Sequence, residues 1–470
     1  MTILLGFLYA IFLSVISLPL VKVYQLENYK PKNFLKRVFK FNIAFGNKNK
    51  INFTNRLKRF LFCDFLLIFV LFFLIFYFTE NIYINIAMIF VGIILLPLLM
   101  VLSHFLCLPV EKLVMNFYMR KATKKLSSMP CKKIAITGSF GKTTTKNILL
   151  QILSQKYKVC ATPKSYNTPM GVCKTIFENL TEKDDFFIVE MGARHKGDIA
   201  FLCKLVGVDY GILTPVGKCH IETFKSLENV EKTKFELCEN VKNFVVINGK
   251  SDSNLKLYEN CEKKKYLICT NESFAYATGV QVKDLKTFFT LHIDKTKIEV
   301  STSLFGKCNV DNIIVASALA YLLGVNLLDI KKGIESLKPI PHRLELIKGY
   351  AYVLDDSYNS NFSGFKQALD VLSNFKGKKI LVTPGMVELG REQFELNYQI
   401  AKNMAKVCDE IVVMNKVNRE AILKGLSEEN FNEKKIHLAT SRKEQTEILK
   451  KIITKDSVVL FENDLPDNYK

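Results

Sequence analysis

The stretch with the clearest chemistry is Gly138-Ser-Phe-Gly-Lys142-Thr143-Thr144, taken with its flanks. Lys133 to Thr137 is a short apolar run that predicts a buried strand, and Thr143 to Leu153 has the apolar spacing of a helix. Strand, glycine loop and helix in that order form a phosphate cradle. Gly138 and Gly141 let the backbone of this loop, which includes the candidate Ser139, turn and bring its amide groups towards phosphate oxygens, and the helix N-terminus adds a positive field. Lys142 would pair with the terminal phosphates and Thr143 would offer a hydroxyl to a magnesium ion, with Thr144 beside it. Five positions before the Gly-Lys pair stands Ile136 rather than glycine, so this is the shorter T-G-x-x-G-K-T-T-T form. An ordinary strand-to-helix turn is the alternative.

Other positions suit the same chemistry. Glu190 ends the apolar run Phe186-Phe-Ile-Val, where an α/β sheet presents ligands at its carboxyl edge, although a plain cap of the next turn also fits. His220 follows a further predicted strand, Tyr210 to Thr214. Asn309 and Asn312, at i and i+3, share one face at the start of a helix and could present amides to an adenine ring.

Thr137-Gly-Ser-Phe-Gly-Lys-Thr-Thr-Thr-Lys146, Tyr166-Asn-Thr-Pro-Met-Gly171, Glu190-Met-Gly-Ala-Arg-His-Lys-Gly-Asp198 and His220-Ile-Glu-Thr-Phe224 follow one another as in Mur ligases. Asn309, Asn312, His342-Arg343 and Asp355-Asp-Ser-Tyr-Asn-Ser-Asn361 continue the series, so the chain resembles that family over roughly residues 130 to 470. It is most similar to the MurF type, the UDP-N-acetylmuramoyl-tripeptide D-alanyl-D-alanine ligases. The resemblance implies an ADP-forming ligase that uses ATP to turn a peptide carboxylate into an acyl phosphate, then admits an amine while excluding water. Its substrates would be a muramoyl-peptide precursor and D-alanyl-D-alanine, with ATP and Mg2+ as cofactors and other cell-wall synthesis proteins as possible partners.

The resemblance also implies residue roles. Thr143, Glu190 and His220 would bind magnesium, His220 would also orient the acyl phosphate, and Lys142 and Asn167 would act in catalysis. Lys234 lies fourteen positions after His220, the spacing of the lysine carbamylated in many Mur ligases, where CO2 converts a cation into a magnesium-binding anion. A solvated lysine on a charged helix face is the alternative, and Lys232 is the rival position. Asn309 and Asn312 would contact the base, Arg343 the γ-phosphate and Asp356 the ribose, which matches the pairing of guanidinium with phosphate and of carboxylate with paired hydroxyls. His195 receives no role.

Three features depart from the MurF pattern. Members of that type begin with a soluble domain that recognises the UDP-sugar, whereas this chain begins with apolar runs. Thr383-Pro-Gly-Met-Val-Glu-Leu-Gly390 has Gly385 in place of an acid, and Cys308 stands where histidine is usual. The ending Asn463-Asp-Leu-Pro-Asp-Asn-Tyr469 is similar to that of a membrane-bound Mur-ligase-like branch. A Mur-like ligase for another envelope polymer, such as poly-glutamate, and a membrane ATPase or scaffold that does not ligate remain open alternatives.

The elements that must carry these residues can be read more coarsely. A chain of 470 residues holds two or three domains. Apolar residues concentrate in Thr2–Val21, Phe60–Thr79 and Ile82–Leu108, each near the ~20 residues that cross a bilayer as helix. The basic stretches Lys22–Arg59 and Lys112–Lys133 belong on the cytoplasmic side and Thr79-Glu80-Asn81 carries no positive charge, which predicts a multi-pass protein of the bacterial inner membrane with three crossings and cytoplasmic catalytic domains. The net charge of +21, placed there, points to membrane lipid and not to nucleic acid. The first run lacks a basic start and a cleavage site, so it is expected to stay attached. Asp64, one turn inside the second run, is either a functional carboxylate or an interfacial Asp close to Arg59. Pro97 and Pro109 are expected to kink or end the third run, leaving Glu111–Lys125 as a surface helix. Twelve scattered cysteines without a C-x-x-C pair read as reduced thiols.

The expected fold class is thus α/β: a membrane segment over 1–109, an amphipathic linker over 110–130, a P-loop central domain over 131–345 and a Rossmann-like, doubly wound domain over 346–470. The last follows from strands expected at Ala351–Leu354, Lys379–Thr383, Ile411–Met414 and Val458–Phe461, alternating with helical stretches.

Overall fold

The computed structural model describes residues 2–39, 51–79, 81–219, 221–271, 273–358 and 360–465. It divides into two compact units, one formed by the chain up to Tyr118 and the other by Met119–Leu465.

The first unit is helical. Helices α1 (Thr2–Ile16) and α2 (Leu18–Leu26) meet at a 49° bend, with Pro19 in the first turn of α2. Helix α3 (Pro31–Phe39) buries Phe34 and turns Lys32 and Lys36 to solvent. Helix α4 (Asn55–Phe78) starts at a Thr54 cap, whose hydroxyl accepts from the Leu57 amide at 3.2 Å, and α5 (Ile82–Ser127) follows. Both α4 and α5 are long and apolar enough to cross a membrane, and the bent α1–α2 pair is a third candidate if it forms one span.

Two expectations need correction here. Helix α5 does not end at Pro97 or at Pro109, so the stretch from Glu111 onward is not a separate surface helix. Each proline removes only one amide donor, and the remaining helical ladder continues on both sides of it. Asp64 is buried, and although close to Arg59 in sequence it takes a different partner. Arg59 makes a two-pronged contact with Glu111 (2.5 and 3.0 Å), whereas Asp64, 1% exposed, accepts from the Ser103 hydroxyl at 2.7 Å. The expected basic loop lies partly outside the described residues, as does Glu80 of the uncharged turn.

The second unit holds two sheets. The chain runs through β1 (Lys132–Thr137), α6 (Lys142–Leu153), β2 (Val159–Ala161), α7 (Pro169–Glu178), β3 (Phe186–Glu190), α8 (Asp198–Val206), β4 (Tyr210–Leu213), α9 (Ile221–Phe224), α10 (Leu227–Asn240), β5 (Phe244–Asn248), α11 (Asp252–Asn260) and β6 (Lys264–Ile268). An antiparallel meander of β7 (Ala275–Lys283), β8 (Lys286–Ile293) and β9 (Thr296–Thr302) comes next, then α12 (Lys307–Leu322) and α13 (Leu327–Glu335). The strand order is β2-β3-β1-β4-β5-β6-β7-β8-β9, parallel from β2 to β7. Because β1 lies between β3 and β4, the loop that leaves β1 emerges where the winding reverses, the place at which such sheets open a crevice.

Sheet two contains β10 (Glu345–Lys348), β11 (Tyr352–Asp356), β12 (Lys379–Thr383), β13 (Glu410–Met414), β14 (Ile436–Ala439) and β15 (Val458–Glu462), in the order β10-β11-β15-β12-β13-β14. Only β10 runs antiparallel to its neighbour. Helices α14 (Phe362–Ser373), α15 (Gln393–Val407), α16 (Arg419–Glu428) and α17 (Arg442–Ile452) supply the crossovers, so the doubly wound expectation describes this half well. All twelve cysteines are free thiols.

Where α5 enters the second unit, its last turns satisfy helix ends. Thr123 donates to Leu205 O (3.3 Å), and the Lys125 ammonium donates to Ile176 O (2.6 Å) and Leu180 O (3.0 Å) at the carboxyl end of α7. A cation there meets both the unpaired carbonyls and the negative end of the helix dipole.

The crevice side is fastened by one amide. Asn254, fully buried, accepts from Val216 N (3.1 Å) and donates to Thr214 O (3.2 Å) and Asn248 O (2.7 Å), joining the ends of β4 and β5. Asn254→Ala should lower stability in denaturant unfolding by about 2–4 kcal/mol, because it strands three buried backbone groups. Asn260→Ala, at an exposed site, should stay within about 0.5 kcal/mol of the parent.

Candidate active site

The loop after β1 is held against the end of β4. Gly138 has φ +147°, and a Cβ there would stand 2.0 Å from Thr214 Oγ1 and 2.7 Å from Thr214 O, so no side chain fits. Ser139 N (2.9 Å) and Phe140 N (3.3 Å) both donate to Pro215 O, and Ser139 Oγ donates to Gly217 O at 2.9 Å. The Ser139 amide thus holds the loop against the end of β4. The donors left for a phosphate are the first-turn amides of α6, which have no acceptor within the helix. Gly141, at φ +76°, ends the loop, and its missing Cβ leaves room for Asn312 Oδ1, which also accepts from Thr145 Oγ1 at 3.1 Å. Lys142 folds its ammonium back onto the carbonyls of Gly138 (2.9 Å) and Ser139 (3.0 Å). Burial pulls its pKa below the usual lysine range.

In front of the loop is a cavity of about 530 Å³ that gathers Lys142, Thr143, Asn167, Glu190, Lys234 and Arg343. Glu190, 1% exposed at the end of β3, is gripped from two sides. Its Oε1 accepts from Asn167 Nδ2 (3.2 Å) and its Oε2 from the Lys146 ammonium (3.4 Å). Lys146 is itself 1% exposed and also donates to Lys164 O; burial lowers its pKa. Lys234, 2% exposed on α10, has its pKa lowered to about 7 by burial and then by the neighbouring charge of Lys142. Lys232 points outward and pairs with Glu228 at 2.6 Å, so Lys234 is the lysine that reaches the cavity.

Arg343 reaches Thr143 Oγ1 only at 3.5 Å, and its guanidinium lies 4.2 Å over the Tyr358 ring, whose hydroxyl meets Ser165. Lys218 pairs with Glu392 at 2.7 Å, tying the two sheets' loops across the cavity mouth. His195 is an exposed rim residue 3.8 Å from Asp198. His220 lies outside the described residues. Among the described residues no group of three His, Cys, Asp or Glu forms a metal cluster; the sequence candidates Thr143 and Glu190 both line the cavity, with Asp198 and Glu388 as further carboxylates.

A second cavity of about 180 Å³ adjoins the first through shared walls at Phe140, Gly141 and Arg343. Thr144, Asn309, Asn312 and Asp356 line it, so these four sequence candidates do converge. Asn309 spends its Nδ2 on Phe305 O at 2.7 Å. Asp356 accepts from Leu344 N (3.1 Å), and burial raises its pKa to about 6. Three buried polar atoms on residues of this wall have no hydrogen-bond partner among the described residues: Asn248 Nδ2, Gln367 Oε1 and Glu462 Oε2.

Sequence reasoning missed Lys146, Tyr358, Asn248 and Glu462. Lys146 stands one helical turn after Lys142 and Glu462 ends an apolar strand as Glu190 does, so both carried a usable signal. Gly385 also gains an explanation: at φ +75° its Cβ would lie 2.4 Å from Asn397 Oδ1, which excludes an acid side chain in this turn.

Two family models match the chain, the Mur ligase middle domain over residues 136–320 and the Mur ligase glutamate ligase domain over residues 342–462. The UDP-N-acetylmuramoyl-tripeptide--D-alanyl-D-alanine ligase of Escherichia coli is 31% identical over 281 residues, covering 58% of this chain and 62% of that protein. The Bacillus subtilis protein of that name is 26% identical, covering 72% and 74%. The chain thus spans about 62% of the length of the E. coli relative. Among solved structures, MurF of Thermotoga maritima in complex with ADP superimposes with a TM-score of 0.67 at 26% identity, over 74% of this chain and 80% of that one.

Lys146→Met tests the grip on Glu190. Without the ammonium the carboxylate is buried next to Asn167 alone, and affinity for magnesium-ATP in calorimetric titration should fall by about tenfold or more. An unchanged affinity with an intact fold would remove Lys146 from the site.

Proposed function

The chain belongs to the Mur ligase family, carrying its middle and glutamate ligase domains, and from that premise we propose an ATP-dependent, ADP-forming ligase that joins D-alanyl-D-alanine to a muramoyl-tripeptide. The observation that carries the reading is the convergence of Lys142, Lys146, Lys234 and Arg343 around the buried Glu190, in front of a helix N-terminus. Such a site suits a triphosphate and a second anion side by side.

In this reading the first-turn amides of α6 and Lys142 hold the ATP phosphates, and Arg343 faces the terminal phosphoryl group. An oxygen of the peptide carboxylate attacks the γ-phosphorus, the bond to the β-phosphate oxygen breaks, and ADP leaves with an acyl phosphate in place. The amine of the dipeptide then attacks the acyl carbon, phosphate departs, and the amine's proton passes to solvent or to phosphate. Lys142 and Arg343 spread the charge that builds on the phosphoryl oxygens, which is worth most in a cavity that excludes water. Magnesium, held by Thr143 and Glu190, would supply further positive charge; each Glu190 oxygen has one donor, which leaves a lone pair for a metal.

Lys234 fits the carbamate role. Its amine is buried, and with a pKa near 7 a large share of it is neutral at neutral pH, the form whose nitrogen adds to CO2 with loss of a proton. Lys142, which disfavours an ammonium at Lys234, would favour a carbamate anion there. Placement in the inner membrane belongs to the same proposal: α4, α5 and the bent α1–α2 pair would make three crossings, with the catalytic half on the cytoplasmic side.

The test is phosphate release by the detergent-solubilised chain with ATP, magnesium and UDP-muramoyl-tripeptide, with and without D-alanyl-D-alanine. Dipeptide-dependent release that Lys142→Ala abolishes is expected; release that ignores the dipeptide would mark an ATPase without ligation. Lys234→Ala should lose at least about a hundredfold in rate, the scale of one lost charge-stabilising group, and a short carboxylic acid added to the assay should restore part of it. A 13C carbamate resonance from labelled bicarbonate that is absent in Lys234→Ala gives a second readout.

A further inference from the structure

One end of the helical unit collects positive charge. The described positions within 22–39 and 51–59 hold eight Lys and Arg against a single acid, Glu27. They are not a loose run. Gln25 donates from Nε2 to Asn52 O (2.8 Å) and accepts at Oε1 from Asn52 N (3.1 Å), Arg37 pairs with Glu27 at 2.8 Å, and the Arg56 guanidinium lies 4.3 Å over the Tyr29 ring. A helix of nine residues does not hold on its own in water, so α3 depends on its anchor. Phe34, fully buried, meets the Tyr24 ring edge-on at 4.8 Å, and Tyr24 in turn packs 5.3 Å from Phe60, where the apolar run of α4 begins. Arg59, the residue before it, pairs with Glu111 of α5, so α3 is fixed at the level where both long helices change from apolar to charged.

What this end leaves uncovered is mixed in character. Lys30, Lys32, Lys36 and Lys58 are exposed and make no ion pair among the described residues. Phe39 and Phe53 are 65% and 58% exposed, and the uncovered apolar surface of α4 resumes at Phe62. Like charges gathered this way repel one another, and large exposed rings beside them cost free energy in water. A soluble polyanion would offset the charge and leave the rings wet. An anionic lipid answers both, because its headgroup meets the lysines while its acyl chains cover Phe39, Phe53 and the flank of α4.

We propose that α3 and the first turn of α4 form a docking surface for anionic lipid headgroups, with α3 lying in the plane of the membrane surface, Lys32 and Lys36 towards the headgroups and Phe34 towards the bundle. The inference rests on the placement of the helical unit in a bilayer and goes beyond it, since three crossings by themselves call for no particular headgroup. A zwitterionic lipid brings no net charge for the lysines to select.

The chain has no Trp, so Phe39→Trp places a single fluorescent reporter beside these lysines. The full chain is reconstituted into vesicles of equal parts phosphatidylcholine and phosphatidylglycerol, with brominated, quenching acyl chains on one lipid or on the other. Brominated phosphatidylglycerol should quench about twofold more strongly than brominated phosphatidylcholine, and salt on the order of 1 M, which shortens the screening length to about 3 Å, should bring the two together. Lys32→Gln with Lys36→Gln, both at exposed positions of α3, should do the same at low salt. Phe53→Trp repeats the comparison from a second position. Equal quenching by the two lipids at both positions would overturn the proposal, as would a preference that the two lysine substitutions leave in place. A reporter quenched by neither lipid would overturn it too, and a response to soluble polyglutamate or RNA would then mark a polyanion in solution as the partner. A chain that fails to float with the vesicles would instead overturn the membrane placement itself and, with it, this inference.

Discussion

The site depends above all on burying positive charge around one acid. Lys142, Lys146 and Lys234 lie close to a cavity whose central carboxylate is Glu190, and burial pulls all three lysines below their usual pKa. Enclosing several cations costs free energy unless anions offset it. Glu190, Asp198 and Glu388 on the lining offset part of that cost and the lowered lysine pKa values relieve more of it, so the demand on the pocket is to hold cations and acids in fixed register. The rest of the second unit can be understood as scaffolding for that demand. The order β3-β1-β4 brings the glycine loop and Glu190 to one sheet edge, and Asn254 fixes the neighbouring strand ends.

How far the sequence revealed this depends on the range of each interaction. The phosphate loop was legible because its signal is local: a strand, two glycines and a helix start within about twenty residues, each needing a particular backbone. Glu190 was legible for a similar reason, since a charge that ends a fully apolar run has few places to go. Lys234 could be separated from Lys232 only by structure, because adjacent lysines on a charged helix differ in which face they occupy, and the segment's composition does not show the face. Lys146 and Glu462 escaped because their meaning lies in partners 44 and 106 residues away. The β7–β9 meander went unread, since its strands leave exposed positions that blur the alternation of a half-buried strand.

The apolar helical unit shows a different limit. Hydropathy found its three apolar runs, but the prolines misled, because the rule that proline ends a helix was formed where water can take over a broken hydrogen bond. Helix α5 runs through both. Asp64 makes the same point in reverse. Proximity in sequence suggested Arg59, yet the hydroxyl of Ser103, 39 residues away, is what it meets.

The join between the two sheets of the second unit ties these threads together. Arg343 is flanked by His342 at φ +62° and Leu344 at φ +50°, left-handed conformations that are costly for side chains other than glycine and asparagine, above all for leucine. The cost is tolerated because it aims three groups at once: the guanidinium at Thr143 and Tyr358, the Leu344 amide at Asp356, and the His342 ring at Asp355, 2.7 Å away. The same few residues thus reach both cavities. Strain at that join is consistent with a backbone selected for where it points functional groups, and it explains why both cavities share Arg343 as a wall. A relaxed turn there would move the Arg343 guanidinium away from Thr143 and the Leu344 amide away from Asp356.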